Sequence, residues 1–315
     1  MTLTRRELGK ILLTVPAAGL LANQRLAAAF GAKPDSKWGG VQVGMNVPYN
    51  YGTRTMAVDE IIDRTSRLGV SAVELRSQPI ELALGAPMSM IAPGGDKAAQ
   101  QQAAEHLRAW RLALDPDKAA AVRKQFDGAG ISTDVIKFDG IYDFSDPELD
   151  YAFRLAKAMD ARAISCELEL PGSKRVGQFA DKHSLMVGYH GHTKTTEAMF
   201  KEAFSYAQHN GANLDIGHYI AGNLGNPLGF IRDHHERITH IHVKDRKAGV
   251  NGVDGVNVPF GQGDTPITAA LQLIRRNGWP IEATIEFEYK VPDGSDAMTE
   301  LAKCVGFCKN ALTSQ

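Results

Sequence analysis

Cysteine is scarce in this chain. Only Cys166, Cys304 and Cys308 occur among 315 residues, too few and too oddly spaced for a disulfide framework or a thiolate zinc site. A metal, if bound, must therefore be held by histidine and carboxylate. An excess of charge of one sign is also missing. The 35 Lys and Arg stand against 36 Asp and Glu, a formal net charge of -1, so there is no broad attraction for a phosphate backbone and nucleic acid is not an expected partner. The apolar run Ile11 to Leu21 is too short to anchor the chain in a bilayer, so no stable membrane anchor is expected. After Trp38 there are no low-complexity tracts or blocks of charge.

Residues 1–29 read as an export signal. A charged start leads into that apolar run and then into Ala27-Ala28-Ala29, a small-residue cleavage pattern. Thr4-Arg5-Arg6-Glu7-Leu8-Gly9-Lys10 resembles the bacterial twin-arginine signal. That implies a protein that folds before crossing into the periplasm, and the expected location is periplasmic.

Beyond residue 38, short apolar runs alternate with helical patterns in the manner of βα units. The strand candidates are Val41–Met45, Ala72–Leu75, Thr133–Phe138, Ala163–Glu167, Leu185–His190, Asn213–Ile216, Thr239–Lys244 and Ala283–Glu288. Helical patterns cover Val58–Leu68, Lys118–Phe126, Pro147–Met159, Thr195–Gln208 and Ile267–Arg276. The long gap between the second and third strands, Ile80 to Leu114, reads as a loop and a polar helix. Eight such units predict an α/β fold, a (β/α)8 TIM barrel forming a single domain over residues 38–315. The rival, a doubly wound open sheet, lacks a Gly-x-Gly-x-x-Gly after the first strand.

In a barrel the chemistry sits at the C-terminal ends of the strands. Nine of the ten histidines fall between His183 and His242, and four successive strand ends offer metal ligands. These are His190 and His192 after the fifth strand, Asp215 and His218 after the sixth, His240 and His242 in the seventh, and Glu286 in the eighth. Imidazole with carboxylate suits a divalent metal such as Mn, Zn, Mg, Co or Fe. Strand parity puts His240, His242 and Lys244 on one face, and Glu286 and Glu288 inward, because Ala283, Ile285 and Phe287 suit the helix-facing side. In the fourth strand, Glu167 and Glu169 oppose Cys166 and Leu168. His183, His209, His234 and His235 read as helix-end or solvent-facing residues.

Leu214-Asp215-Ile216-Gly217-His218, His240-Ile241-His242-Val243-Lys244-Asp245, Phe260-Gly261-Gln262-Gly263-Asp264 and Thr284-Ile285-Glu286 together resemble the sugar isomerase and epimerase group with the xylose isomerase-like barrel, which also includes endonuclease IV. The resemblance covers residues 38–312. It implies a divalent metal held at the ends of the fifth to eighth strands, with the last three ligands carried onto Asp215, His242 and Glu286. His190, in Tyr189-His190-Gly191-His192, stands where many members have a glutamate. Glu167 or Glu169, next door, could restore that lost negative charge as ligand or base, with a slight preference for Glu167. His218 matches a histidine that contacts substrate oxygens, and Lys244 and Arg246 would steady an enolate or a hydroxyl.

The expected activity is metal-dependent isomerisation or epimerisation of a keto-sugar or sugar derivative through an enediolate held on the metal. The expected catalytic residues are Glu167, His218, Glu286 and Lys244, and the expected metal ligands His190, Asp215, His242 and Glu286. The histidine in place of a glutamate leaves room for a lyase or dehydratase acting on 3-keto sugars or glycosides, since elimination needs one base and one acid. It also leaves room for a non-catalytic periplasmic sugar-binding barrel. The partner is a small-molecule sugar, with a homo-oligomer compatible with the family pattern. An abasic-site endonuclease would need further strand-end ligands in the first half of the chain, where His106 is the only histidine before position 183.

Overall fold

The computed structural model describes residues 33–314; the export signal expected over residues 1–29 lies outside them. Eight parallel strands, β1 Val41–Val47, β2 Ala72–Arg76, β3 Ser132–Lys137, β4 Ala163–Glu167, β5 Met186–His190, β6 Asn210–Asp215, β7 Ile238–Val243 and β8 Glu282–Ile285, pair in chain order. β1 also pairs with β8, through Val43 beside Ala283 and Met45 beside Ile285, which closes the barrel. A two-residue strand, Lys37–Trp38, folds back antiparallel on β1.

All eight strand candidates are strands. β6 begins three residues earlier than expected, and the β8 ladder stops at Ile285, so Glu286 and Glu288 stand on the segment that leaves the sheet. The helices Val58–Arg67, Asp146–Ala158 and Ile267–Asn277 lie where the 3.6-residue patterns put them. Leu170–His183 is also helical despite Pro171, Gly172 and Gly177. Pro171 sits in the first turn, where its missing N–H costs nothing. Gly172 packs face-on against Tyr142, whose ring carbon would lie 2.1 Å from an added Cβ. The stretch between β2 and β3 expected to be a loop and one polar helix holds three helices, Ser77–Ala83, Met88–Ile91 and Lys97–Ala113, ahead of Ala120–Ala129. The third of these is pinned by Arg111, which donates to Glu81 at 2.7 Å and lies 3.5 Å from Glu148.

The hydrophobic core lies between strands and helices, and includes Val43, Met45, Val73, Leu75, Ile136, Ile164, Val187, Leu214, Ile241 and Ile285. The residues alternating with these face the barrel interior, and many are polar: Asn46, Glu74, Ser165, Asn213, His240, His242 and Thr284 are all fully buried. TIM barrels are usually filled by branched aliphatics. A polar interior needs hydrogen bonds or ions to offset its desolvation.

Candidate metal centre

The ends of β5 to β8 supply the side chains that meet at the mouth. On β6, Asp215 ends the ladder and caps the short helix Ile216–Ala221 by accepting from His218 N at 2.7 Å. Its other oxygen, Oδ2, is thereby aimed at Lys244 Nζ, 3.0 Å away, and His190 Nε2, 3.4 Å away. Gly217 makes this packing possible, because a Cβ there would fall 2.3 Å from Lys244 Cγ. On β7, His240, His242 and Lys244 share the inward face, and past β8 Glu286 and Glu288 both turn to Lys244, at 2.6 and 2.7 Å. Strand parity placed His240, His242, Lys244, Glu286 and Glu288 on these inward faces.

His190, Asp215, His242 and Glu286 each offer a ligand atom within 4.8 Å of one another, and all four are buried. His242 is bound on both edges. Its Nε2 lies 2.5 Å from Glu74 Oε2 and its Nδ1 lies 3.1 Å from Glu286 Oε2. Burial disfavours its charge, but Glu286 and Glu74 overcome this and raise its pKa to about 10. Burial would likewise raise Asp215, yet Lys244 and His218 hold it below the usual carboxylate range. Glu286 is also lowered against its burial, by Lys244 and His242.

This donor set fits a divalent cation. Two carboxylates and two imidazoles converge, and the bond from His242 Nε2–H to Glu74 leaves Nδ1 to take the ion once its own proton leaves. Asn46 Nδ2 donates to Glu286 Oε1 at 3.0 Å and orients the carboxylate. Such outer contacts set ligand geometry and basicity. Lys244 now neutralises Asp215 and Glu286 itself. Its contact with Glu288 gives the ammonium a place to stay as an ion enters.

Glu167 sits on the rim with its side chain half exposed. Its oxygens accept from His190 Nδ1 at 3.0 Å, His192 Nε2 at 2.7 Å and Lys137 Nζ at 2.8 Å. Burial opposes its ionisation, but the bonds from the two histidines and the nearby Lys137 hold it well below the ordinary range. Glu167, His190 and His192 make a second group of possible ligands. Glu169 is exposed and stays outside the cluster. His218 is pushed by burial to about 4 and is neutral. Arg246 Nη1 lies 2.5 Å from its Nδ1 and Lys244 Nζ 3.3 Å from its Nε2; the shorter contact makes Nδ1 the acceptor, so Nε2 carries the hydrogen. His183, His209 and His234 pair with Asp150, Asp181 and Glu197, and His235 stacks on Trp279, all away from the mouth.

Sequence reasoning passed over Glu74, Lys137, Asn46 and Arg76, whose guanidinium pairs with Asp139. Glu74 did carry a signal: it is a carboxylate within the apolar strand Ala-Val-Glu-Leu, the pattern that singled out Asp215. Beside the cluster opens a groove of about 840 Å³ lined by Tyr49, Tyr51, Arg54, Asn257, Phe287 and Glu288, among others. Among the described residues, no helix is long and apolar enough to cross a membrane.

Residues 172–305 match the family model of the xylose isomerase-like TIM barrel, so the resemblance read from the motifs holds there. No curated protein matches the sequence. Solved structures share the fold at low identity. The probable 3-DHS dehydratase involved in petrobactin synthesis from Bacillus anthracis is 12% identical with a TM-score of 0.60, covering 87% of this chain and 100% of that one. D-psicose 3-epimerase with D-tagatose from Clostridium cellulolyticum H10 is 12% identical at 0.57, covering 86% and 99%. A xylose isomerase-like TIM barrel protein from Mycobacterium smegmatis in complex with magnesium is 12% identical at 0.56, covering 88% and 97%.

Proposed function

We propose that this protein is a divalent-metal-dependent isomerase or epimerase of a keto-sugar or sugar derivative, with the ion held by His190, Asp215, His242 and Glu286. The convergence of these four buried side chains from the ends of β5 to β8 carries the reading. A divalent cation bound there supplies Lewis acidity to a carbonyl and its neighbouring hydroxyl, which acidifies the C–H between them. The other roles belong to the chain. His218 Nε2–H donates to a substrate oxygen, and Lys244 Nζ, deep in the mouth, stabilises the negative charge that develops on the enediolate oxygens. His192, more than half exposed and oriented by Glu167, takes the carbon-bound proton and returns it. Return to the neighbouring carbon from the same face, with the hydroxyl proton passing to the former carbonyl oxygen, isomerises the sugar; epimerisation requires a second proton donor on the opposite face. Glu167 acts here mainly by keeping His190 and His192 oriented, since its two oxygens are engaged.

Incubation with candidate ketoses and Mn2+ in D2O tests this. Deuterium should enter at the carbon next to the carbonyl without loss of mass, and both a chelator and Asp215→Asn should reduce exchange to background. Absence of exchange with every sugar and metal tried overturns the reading.

Elimination is the second reading. His192 and Glu167 stand at the exposed rim, where a departing group would take up a proton, and the adjoining groove has room for more than one sugar ring. Loss of water or an aglycone in the same incubation supports it.

A further inference from the structure

One inward-facing residue below His242, a second cluster lies wholly inside the barrel. Glu74 Oε1 and His240 Nε2 face each other at 3.5 Å; both side chains are fully buried, and neither atom has a hydrogen-bond partner. The hydrogen bonding around His240 decides which ring nitrogen is bare. With the Thr239 Oγ1 hydrogen on Ala212 O at 3.1 Å, His240 Nδ1, 2.9 Å from the same hydroxyl, is the nitrogen that donates to it. Nε2 is then a lone pair aimed at a carboxylate oxygen. A register shift against β6 inserts Thr239 and turns it inward to make this contact. Gly188 leaves the space for it, since a Cβ there would sit 2.1 Å from Thr239 Oγ1. Two bare acceptors held together in a dry interior repel unless a positive centre lies between them.

We propose that Glu74, His240 and His242 form a second divalent-cation site, one layer deeper in the barrel than the first. The three residues offer ligand atoms within 4.8 Å of one another. Two ligands about 2.0–2.1 Å from a tetrahedral ion lie roughly 3.4 Å apart, close to the 3.5 Å between Glu74 Oε1 and His240 Nε2. His242 is common to both sites, with Nδ1 facing Asp215 and Glu286 and Nε2 facing Glu74. As the lower ion binds, the Nε2 proton passes to solvent, and with both sites filled the ring bridges them as an imidazolate. Two divalent ions are then balanced by Glu74, Asp215, Glu286 and that imidazolate. With the upper ion alone, His242 becomes neutral and the buried Glu74 loses its cationic partner. The inference rests in that respect on the metal reading above.

The purified protein, stripped with a chelator, reloaded with excess Zn2+ and desalted, should hold two zinc ions per chain. Crystals should show one anomalous peak among His190, Asp215 and Glu286 and another between Glu74 and His240. His240→Gln should hold one ion, at the upper position, and Asp215→Asn one ion, at the lower. Loss in Asp215→Asn alone, with one ion in the parent, leaves the upper reading standing and overturns the second site. Loss in His240→Gln alone does the reverse. No zinc in the parent overturns both. Should a variant fail to fold, the two peaks in the parent crystal decide the matter.

Discussion

At the scale of single residues, His242 and Glu282 make opposite statements about pH. His242 is protonated in the free protein because Glu286 and Glu74 lift its pKa to about 10 against the burial that would lower it. A cation entering at Nδ1 must displace that proton. Metal binding at the upper site near pH 7.5 should therefore release about one proton, and calorimetry in buffers of different ionisation enthalpy checks this. Affinity should rise with pH up to about 10. Glu282, fully buried at the base of β8, is raised to about 8 by burial and by Asp134. The folded state then holds a proton that the unfolded chain loses near pH 4.5, so stability falls as pH rises from about 4.5 to 8 and levels off above that. In thermal melts from pH 5 to 9, Glu282→Gln should gain on the parent through that window and hold its lead beyond it. Glu167→Gln weakens the orientation of His190 and should cost about 10–100-fold in metal affinity, read by chelator competition.

At the scale of elements, the βα unit around β6 shows how a local sequence builds a site. Asp215 is at once the last strand residue, the helix cap and a ligand candidate, and Gly217 brings the helix against Lys244. Gly217→Ala places a Cβ 2.8 Å from Lys244 O as well as against its side chain. Since backbone yields less than a side-chain tip, we expect about 1–3 kcal/mol of destabilisation in denaturant titrations, together with weaker metal binding. Elements such as this one are legible in sequence because strand alternation, turn glycines and capping carboxylates act over a few residues. Leu170–His183 was not, because its proline and glycines oppose helix propensity and tertiary packing on Tyr142 overrides them.

At the scale of the whole molecule, the hydrophobic core surrounds the barrel and the polar interior depends on ions for its balance. The cation should accordingly stabilise the fold. At a free concentration 100 times its Kd, linkage adds about 2.7 kcal/mol, which for a chain of this size is roughly 4–5 °C in Tm; differential scanning fluorimetry with and without Mn2+ measures it. The amino-acid sequence alone determined the eight strands and the inward faces of β7 and β8, because these follow from periodicity and neighbours within one unit, while the choice of His190, Asp215, His242 and Glu286 among the strand-end candidates came from the family resemblance. Only the tertiary structure decided that Glu74 meets His242 across 168 residues of chain, that Lys137 reaches Glu167 from the next strand, and that Asn46 reaches Glu286 across the barrel seam. Those contacts depend on closure and stagger, which no local pattern encodes. A carboxylate within an apolar strand shows in sequence that a positive partner is required, and the closed barrel selects which one it receives.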